Sequence, residues 1–551
     1  MRNGLDAIPE RIVLLSGRVA SGKSQLSDSL RARYASEVVK TREIIIKLKP
    51  RVEVTRSALQ RAGAALDEET HGEWIAAELL DRNFGNGSMV IVDSVRIAEQ
   101  VEAIRKSFGA LRVTHIHVRA DQEILAERYD KREHKFPELP TYEDVERDPT
   151  EAQVDSLQSI CDVLIDTGRS TREDVLVRAA ARIGLYSVAE SALVDVLIGG
   201  EYGSEGKGHI AWYLAREYDV LVRVGGPNAG HTVLFPGGAD GKTYIFHQLP
   251  SGTQSAPHAK IVIGPGATIW PEQLFREIEE CNVDPGRIAI DPQAMIIDQW
   301  DRSYESELRR NIASTAQGGG MATARRVMRN HLRGWRVPRV LLAGNAPAFK
   351  SFIKPTREVL DDAFVRGASV LLEGTQGTGL SLYHGDYPYV TSRDTTASGT
   401  MAEAGVPPSR IRRVIMVTRT YPIRVQNPDD KSKTSGPMSI DLSWEVIARR
   451  SGLPLEALLD AEKTSTTKRQ RRVGEFDWAL FRKACSLNAP TDIALTFTDY
   501  ISSENQKARR FEQLTQETIR FIEELERLAG APVSLISTRF NERSIIDRRS
   551  W

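Results

Sequence analysis

Short apolar runs alternate with amphipathic stretches along the first third of the chain. Apolar runs occupy residues 11–17, 88–94, 113–120 and 161–168, and the stretch 171–186 has the pattern of a closing helix. Strands that are buried on both faces form continuous apolar runs, and helices cover the faces of a parallel sheet. The pattern therefore predicts an α/β domain with a parallel sheet.

A second pattern of the same kind begins at residues 193–200, where an apolar run leads into a glycine-rich turn. Further apolar runs lie at 220–224, 260–263, 369–372, 414–418 and 493–498. Their wide spacing favours one large α/β domain with long insertions over several small domains. We predict two domains, at residues 1–187 and 191–551, and a mobile loop at 427–436.

Composition and charge narrow the class of protein. Lys and Arg together number 74, as do Asp and Glu, so there is no net field to attract a nucleic acid. Cys161, Cys281 and Cys485 are too few and too widely spaced for a disulfide framework or a zinc motif. No apolar run approaches the roughly 18 residues of a membrane span. We expect a cytoplasmic protein without membrane or nucleic-acid partners.

The first glycine-rich turn has the spacing of a P-loop. Gly17, Gly22, Lys23 and Ser24 match G-x-x-x-x-G-K-S between an apolar run and a predicted helix. Backbone N–H groups would bind phosphates, Lys23 would reach the β- and γ-phosphates, and the Ser24 hydroxyl would bind Mg²⁺. Asp93 ends the next apolar run, where it could position Mg²⁺-bound water or an acceptor phosphate. The alternative is a nucleotide-binding fold without turnover.

The first domain resembles small P-loop kinases of the deoxynucleoside-monophosphate or dephospho-coenzyme A type. Arg128 and Arg132 resemble the lid arginines of such kinases, although exposed arginines on a helix are often only solvated. The resemblance leaves the phosphoryl acceptor open.

Four segments of the second domain resemble the adenylosuccinate synthetase family. They are GSEGKG at 203–208, VGGPNAGHTV at 224–233, EGTQGTGLSLYHGDYPYVTSRDTT at 373–396 and TSTTKRQRRVGEFD at 464–477. The resemblance implies a ligase that transfers a γ-phosphoryl group to a purine 6-oxygen, after which L-aspartate displaces phosphate from C6. Such a reaction requires activation of the 6-oxygen and neutralisation of phosphoryl charge.

The resemblance also implies roles for individual residues. His231 would contact the 6-oxygen and the phosphoryl group, Lys207 would neutralise phosphate charge, and the carbonyl of Gly230 would help to hold Mg²⁺. The glycine-rich loop would contribute Gly203, Gly206 and Gly208 to binding of the triphosphate. The mononucleotide would contact Asn228, Thr315, Gln376, Thr391 and Arg469. The aspartate substrate would contact Thr466, Thr467, Arg469 and Arg471. A homodimer is expected, with Arg325 or Arg326 reaching the nucleotide of the neighbouring subunit.

Ser204 is the main departure from the family pattern, because the family has its catalytic aspartate at this position. A serine hydroxyl is a poor base and a weak metal ligand, whereas a carboxylate can accept the N1 proton of a 6-oxopurine. The sequences of 203–208 and 373–396 resemble those of phage 2-aminoadenylosuccinate synthetases, which also lack the aspartate. We predict that Ser204 leaves room for a 2-amino group, so that GMP or dGMP is the substrate.

Two alternatives stay open. One is an ordinary adenylosuccinate synthetase that uses IMP and GTP, with Glu205 as the replacement base. The other is a nucleotide-sensing protein with weak turnover or none.

The predicted triphosphate site also differs from the family pattern. Phe497 stands where the family has a lysine, whereas Asp499 can still accept from a base amine. Ser537 is present, but the Gly-Pro that normally follows it is missing. ATP and GTP both stay possible as the phosphoryl donor.

Overall fold

The chain folds into two compact units, Met1–Tyr186 (unit 1) and Ser187–Trp551 (unit 2). The computed structural model describes residues 9–85, 88–131, 141–143, 149–186, 192–234, 243–329, 337–426, 435–463, 470–541 and 544–550.

Unit 1 contains a five-stranded parallel sheet in the order β2-β3-β1-β4-β5. Its strands are β1 Arg11–Ser16, β2 Ser36–Val39, β3 Met89–Val92, β4 Val113–Arg119 and β5 Val163–Asp166. Its described helices are α1 Lys23–Arg33, α2 Thr41–Leu48, α3 Arg56–Thr70, α4 Trp74–Leu80, α5 Ala98–Phe108, α6 Gln122–Asp130, α7 Pro149–Ser156 and α8 Arg172–Ile183.

The apolar runs of unit 1 have no polar alternation because the sheet is covered on both faces. Leu14 of β1 packs into one core together with Trp74, and its neighbours Val13 and Leu15 pack into another core together with Leu26. Successive side chains of a strand point to opposite faces, so both sets must be apolar. The predicted parallel sheet is confirmed, although β2 is absent from the prediction.

Unit 2 is built on a nine-stranded sheet in the order β12-β10-β7-β14-β6-β15-β19-β20-β21, in which only the β20–β21 pair is antiparallel. The strands of the unit are β6 Val194–Gly199, β7 Val220–Arg223, β8 His231–Leu234, β9 Thr243–Phe246, β10 Lys260–Ile263, β11 Thr268–Ile269, β12 Ile288–Ile290, β13 Met295–Ile296, β14 Val370–Glu373, β15 Ile411–Arg419, β16 Ile423–Val425, β17 Asp441–Leu442, β18 Arg471–Gly474, β19 Asp492–Thr496, β20 Val533–Ser537 and β21 Ile545–Asp547.

Smaller sheets arise from the insertions between these strands. They are the β8–β9 hairpin, the parallel β11–β13 pair and the antiparallel sheet β16-β18-β17. The described helices of unit 2 are α9 Lys207–Leu214, α10 Pro271–Glu280, α11 Gln299–Tyr304, α12 Ser306–Ile312, α13 Gly319–Met328, α14 Thr356–Val365, α15 Ala397–Ala404, α16 Trp444–Ser451, α17 Leu455–Ala461, α18 Trp478–Asn488 and α19 Gln516–Ala529. In the described ranges, no helix is both long enough and apolar enough to span a bilayer.

Parallel strands place their carboxyl ends, and the loops that follow them, at one edge of the sheet. The loops after β1 and β3 in unit 1 therefore meet at one edge. In unit 2 the loops after β6, β14, β15 and β19 meet in the same way, and each site is built at such an edge.

Candidate active sites

The P-loop of unit 1 lies between β1 and α1, and two glycines give it its shape. Gly17 has φ 139°, and a Cβ atom there would lie 2.1 Å from the Val118 carbonyl oxygen. Gly22 is in the left-handed region, with φ 100°, and it precedes the first residue of α1. The Lys23 ammonium donates to the carbonyl oxygens of Gly17 and Arg18, the latter at 3.0 Å. The loop thus leaves the amide end of α1 available to an anion.

Two side chains fix the surroundings of this loop. Asp93 follows β3, and its Oδ1 accepts from the backbone N–H of Thr41 at 2.9 Å; burial raises the pKa of its carboxyl. Arg128 donates to the Thr167 hydroxyl and carbonyl, both at 2.8 Å. Arg132 lies outside the described residues.

A cavity of about 820 Å³ opens over the P-loop. Its lining includes every residue predicted for the phosphate site of unit 1, namely Gly17, Gly22, Lys23, Ser24 and Asp93, and also Arg128. The structure therefore brings together residues that are far apart in the sequence: Gly17 and Asp93, for example, are separated by 76 positions.

The glycine-rich loop of unit 2 lies between β6 and α9. Gly203 has φ 101°, and a Cβ atom there would lie 3.0 Å from the Cα of Gln376. Gly206 is left-handed, with φ 84°, and precedes α9. A Cβ atom at Gly208 would lie 2.9 Å from the Cβ of His231. The glycines are needed because the loop passes close to Gln376 and α9 packs against β8.

Glu205 holds the conformation of this loop from inside. One carboxylate oxygen accepts from the backbone N–H groups of Glu201 at 3.0 Å and Gly203 at 2.8 Å. The other accepts from the Lys207 ammonium at 2.6 Å, and both side chains of this ion pair are fully buried. Because both carboxylate oxygens are engaged, the arrangement suits a positioning role better than the predicted role of Glu205 as a replacement base.

His231 is the first residue of β8, and its ring is oriented by Glu373 at the end of β14. The His231 Nδ1 atom contacts the Glu373 carboxylate, which also accepts from Arg223 at 2.8 Å. Burial alone would raise the pKa of Glu373, but the Arg223 charge and the His231 contact outweigh it and hold that pKa at about 2. The ionised carboxylate therefore assigns the proton to Nδ1.

The opposite ring nitrogen of His231, Nε2, has a different environment. Nε2 is buried and has no hydrogen-bond partner among the described residues. Burial, together with the Arg223 charge, lowers the pKa of His231 to about 4, so the ring is neutral at physiological pH. A neutral ring with a proton on Nδ1 has a lone pair on Nε2.

A cavity of about 580 Å³ lies next to the glycine-rich loop of unit 2. The predicted residues that line it are Gly203, Ser204, Asn228, Gly230, Thr315, Gln376, Thr391 and Arg471. Its remaining wall includes the apolar side chains of Leu380, Pro388 and Val390. An apolar cavity with a few convergent polar groups is typical of a small-molecule site.

Two side chains in this wall have polar atoms without a hydrogen-bond partner among the described residues. Ser204 is half-buried; its carbonyl oxygen accepts from Arg419 at 3.0 Å, whereas its hydroxyl makes no hydrogen bond with any described residue. Asn228 Oδ1 is buried and likewise has no partner in the described ranges. Gln376 has φ 57°, a strained value for a residue other than glycine. Unsatisfied polar atoms and backbone strain of this kind cluster at ligand sites.

Arg471 belongs to an ion cluster that the sequence did not reveal. It donates to one oxygen of Glu462 at 3.0 Å, and the other oxygen accepts from Arg419 at 2.7 Å and from Tyr500 at 2.8 Å. Burial would raise the pKa of Glu462, but the two guanidinium charges hold it at about 2. Thr466, Thr467 and Arg469, the other residues predicted for aspartate binding, lie outside the described residues.

Arg325 is engaged within its own unit. Its side chain is 1 % exposed, and it donates to Asp301 at 2.6 Å and to the carbonyl oxygens of Pro338 and Arg339 at 3.0 Å each. Reaching the nucleotide of a neighbouring subunit would break this buried ion pair, which costs about 3–5 kcal/mol. Within one chain Arg325 therefore holds α13 against α11, and its contact with a neighbouring subunit stays a prediction.

Two further residues predicted for the triphosphate lie near the carboxyl ends of β19 and β20. Asp499 is buried, its Oδ2 accepts from Gln506 at 3.1 Å, and its Oδ1 has no partner in the described part of the chain. Burial raises the pKa of Asp499 to about 6. The Ser537 hydroxyl donates to the Arg539 carbonyl at 3.1 Å. Phe497 is left-handed, with φ 58°, and the Arg419 guanidinium lies 3.9 Å from its ring centre.

Family comparisons define the class of unit 2. The adenylosuccinate synthetase family model matches residues 196–342 and 339–506, which is more than half of the chain. The chain belongs to the adenylosuccinate synthetase family, and it is a carbon–nitrogen ligase of that type. An AAA-domain model matches residues 13–151, in agreement with the P-loop fold of unit 1.

Individual relatives cover nearly their whole length. The adenylosuccinate synthetase of Methanocaldococcus jannaschii is 37 % identical over 365 residues, which is 64 % of this chain and 96 % of the relative. That of Pyrococcus horikoshii is 36 % identical over 363 residues, covering 64 % of this chain and 98 % of the relative.

Two solved structures are similar to about two thirds of the chain. One is the succinoaminodeoxyadenylate synthetase of cyanophage S-2L bound to dGMP and dATP as an energy donor, with 26 % identity, a TM-score of 0.52, and coverage of 66 % of this chain and 97 % of that chain. The other is the fully ligated adenylosuccinate synthetase of Plasmodium falciparum, with 20 % identity, a TM-score of 0.55, and coverage of 65 % and 100 %.

Proposed function

We propose that unit 2 joins L-aspartate to C6 of a 2-amino-6-oxopurine mononucleotide, GMP or dGMP, to give a 2-aminoadenylosuccinate. The observation that carries this proposal is the half-buried Ser204 side chain in the cavity wall, whose hydroxyl has no partner among the described residues. Asn228, Gln376 and Thr391 stand around the same cavity. A decayed site would not be expected to retain this set of polar groups.

Ser204 suits a 2-aminopurine for two physical reasons. Serine is smaller than aspartate, which leaves space beside C2 of the base. Its hydroxyl can accept a hydrogen bond from the exocyclic amine, and an unmet hydrogen bond at such a site costs about 1–3 kcal/mol. The similarity of the chain to a phage synthetase that binds dGMP supports the same choice.

The reaction would proceed in two displacements. The purine 6-oxygen forms a bond to the γ-phosphorus of the triphosphate, the bond from that phosphorus to the β,γ-bridging oxygen breaks, and the N1 proton leaves. The α-amino nitrogen of aspartate then forms a bond to C6, the C6–O bond breaks, phosphate leaves, and the amine loses a proton. Lys207 lies in the loop that would neutralise the phosphoryl charge.

We assign the N1 proton to His231. Its Nε2 lone pair is available because Glu373 fixes the proton on Nδ1, whereas the Glu205 carboxylate is engaged by Lys207 and two backbone N–H groups. A proton on Nε2 would be stabilised by the incoming phosphoryl charge, which raises the pKa of the ring.

ATP and GTP are both compatible with the phosphoryl-donor site. Asp499 Oδ1, buried and without a partner in the described ranges, can accept from the amine of either base. Mg²⁺ usually binds through phosphates and only one or two protein oxygens. The Gly230 carbonyl in unit 2 and the Ser24 hydroxyl in unit 1 fit that pattern, and bound Mg²⁺ would neutralise charge on the transferred phosphoryl group.

For unit 1 we propose phosphoryl transfer from a Mg²⁺-bound nucleoside triphosphate to a nucleoside monophosphate. The proposal rests on the P-loop with Lys23 and on Asp93, which lines the same cavity. Such an activity would process a monophosphate related to the substrate or product of unit 2.

Product analysis by mass spectrometry tests the proposal. The purified protein is incubated with aspartate, Mg²⁺, ATP or GTP, and each of IMP, dIMP, GMP and dGMP. We expect succinylated product from GMP or dGMP. Product from IMP with none from GMP or dGMP would indicate an ordinary adenylosuccinate synthetase instead. Absence of phosphate release under every condition would favour the nucleotide-sensing alternative.

A further inference from the structure

The cavity of unit 1 has two sides, which follow from the order of the strands. The P-loop follows β1 at the centre of the sheet, with β2 and β3 on one side and β4 and β5 on the other. Thr167 and Val175, which follow β5, line one side of the cavity. Helices α2 to α4 and the segment after β3 line the opposite side. The second side, next to Asp93, is where a phosphoryl acceptor would lie.

One face of α3 supplies most of the polar chemistry on the acceptor side. Arg56, Gln60, Gly63, Ala64 and Asp67 all line the cavity. Their spacing places them on one side of the helix, since residues three and four apart are neighbours on a helix surface. Two small residues thus lie between Gln60 and Asp67, where a flat ligand could rest.

The side-chain amide of Gln60 is buried in this wall without hydrogen bonds to described residues. Its amide nitrogen and oxygen are both buried, and neither has a hydrogen-bond partner among the described residues. Gln100, which lines the same cavity, shows what a satisfied amide looks like here. Its oxygen accepts from the Arg96 backbone N–H and its nitrogen donates to Asp67, both at 2.8 Å. A buried amide without hydrogen bonds is costly in free energy. The contrast between Gln60 and Gln100 therefore indicates that Gln60 bonds to a ligand.

Asp67 is fixed in position and retains an available oxygen. Its Oδ1 accepts from the Trp74 indole at 2.6 Å and from Gln100 at 2.8 Å. Its Oδ2 makes no hydrogen bond with any residue that the structure describes. A carboxylate held in this way selects a ligand that carries an N–H donor, such as an exocyclic amine.

We propose that this wall binds a 2-aminopurine nucleoside monophosphate as the acceptor, an inference that rests on the phosphotransferase function proposed for unit 1. Asp67 accepts from the 2-amino group, and the Gln60 amide pairs with the opposite edge of the base, in one orientation for a 6-oxo group and in the other for a 6-amino group. The base lies over Gly63 and Ala64.

Distances and charges agree with this arrangement. Seven residues of helix separate Gln60 from Asp67 by on the order of 10 Å, which suits a purine with a hydrogen bond at each end. Ile45, Leu59 and Trp74 provide apolar wall for the ring. Arg42 lines the cavity and forms no ion pair with a described side chain, so it is available to the 5′-phosphate.

The transfer itself balances without a further reactant. An oxygen of the dianionic 5′-phosphate forms a bond to the γ-phosphorus, and the bond from that phosphorus to the β,γ-bridging oxygen breaks. Both products are nucleoside diphosphates. The dianion has no proton to lose, so no general base is needed.

The test uses the full-length protein with ATP and Mg²⁺ and without aspartate, so that the second displacement at unit 2 cannot occur. The acceptors are dGMP, the deoxynucleoside monophosphate of 2,6-diaminopurine, dAMP, dCMP and, as a sugar acid, gluconate. The phosphorylated products are identified by mass, and fragmentation separates a nucleoside diphosphate from a nucleotide that carries the new phosphoryl group on the purine 6-oxygen. We expect kcat/KM for one or both 2-aminopurines to exceed that for dAMP and dCMP by about tenfold or more, as one hydrogen bond to a charged group allows. Equal or faster transfer to dAMP, dCMP or gluconate would overturn the acceptor assignment alone. No transfer to any acceptor would overturn the phosphotransferase function as well.

Variants separate recognition from folding. In Gln60→Ala we expect KM for the nucleotide acceptor to rise about tenfold, with kcat and KM for ATP within about threefold of wild type. Ala64→Leu, which fills the surface under the base, should have the same effect without removing a polar group. Gln158→Ala, in the same unit but outside this cavity, is the control and should change none of these constants. An unchanged acceptor KM in both cavity variants would contradict the proposal.

Discussion

The two glycine-rich loops of the molecule have the same arrangement of strand, glycine and helix, but their lysines have different partners. Each loop follows a parallel strand, has a left-handed glycine before a helix, and places a lysine at the first helical position. Lys23 is half-buried and bonded to carbonyl oxygens of its own loop, whereas Lys207 is fully buried and paired with Glu205. Lys23 thus bonds to its own loop without a buried carboxylate beside it in that loop, whereas the ion pair of Lys207 with Glu205 holds the loop of unit 2 in shape before any ligand binds.

The largest effect is expected when each lysine is removed in turn. Lys23→Met should lower phosphoryl transfer by unit 1 about 10³-fold, because the phosphoryl charge loses its main partner. Lys207→Met should lower ligation by unit 2 to a similar extent. Each activity is measured separately in both variants by mass analysis of the products.

The comparison predicts that each variant keeps the activity of the other unit within about twofold, since the two loops belong to separate compact units and effects at independent sites add. Loss of both activities in either variant would contradict the assignment of one phosphate site to each unit.

Glu205→Gln should have the next largest effect, on stability as well as on ligation. Removing one partner of a fully buried ion pair leaves the Lys207 charge uncompensated, at a cost of about 3–5 kcal/mol. Glu78→Gln is the matched control in unit 1: Glu78 is 7 % exposed, but its partner Lys47 is 57 % exposed and can be solvated. We expect the control to cost about 1 kcal/mol or less.

Hydrogen exchange of the β6 and β1 amides reads the local stability of each unit separately. Similar destabilisation by the two substitutions would show that the Glu205–Lys207 pair is not the internal support of its loop.

Much of this architecture is predictable from the sequence, because strands buried on both faces form apolar runs. The runs that become β1, β6 and β15 are examples. The strand β2, with the sequence Ser-Glu-Val-Val, is short and half polar, and so it escapes a search for apolar runs. Contiguous loop motifs are equally visible, since their residues act within a few positions of one another.

Partnerships across the sequence could not be predicted. His231 depends on Glu373, which is 142 positions away, and Arg471 depends on an ion cluster that includes Arg419. Spacing along the chain carries no information about such contacts. The buried ion pair between Arg325 and Asp301, 24 positions apart, is a further contact of this kind.

A smaller, pH-dependent effect is expected at Glu201, in the loop of unit 2. Burial and the neighbouring Glu205 raise the pKa of Glu201 to about 8. The folded state therefore keeps a proton that the unfolded state loses near pH 4.5, and stability should fall as pH rises from about 4.5 to 8. Glu201→Gln removes this titration, so its stability relative to wild type should increase by up to about 1.4 kcal/mol per pH unit in that window.

Chemical denaturation of both proteins at pH 5 and pH 8 measures this difference. An equal gap between variant and wild type at the two pH values would mean that Glu201 is already ionised in the folded loop.

The role of Ser204 is tested most directly by the ratio of ligase kcat/KM for dGMP to that for dIMP, in wild type and in Ser204→Asp. We predict a ratio above one in wild type that falls about tenfold or more in the variant, because the larger carboxylate occupies the space of the 2-amino group. Wild-type preference for dIMP, or an unchanged ratio in the variant, would contradict the claim.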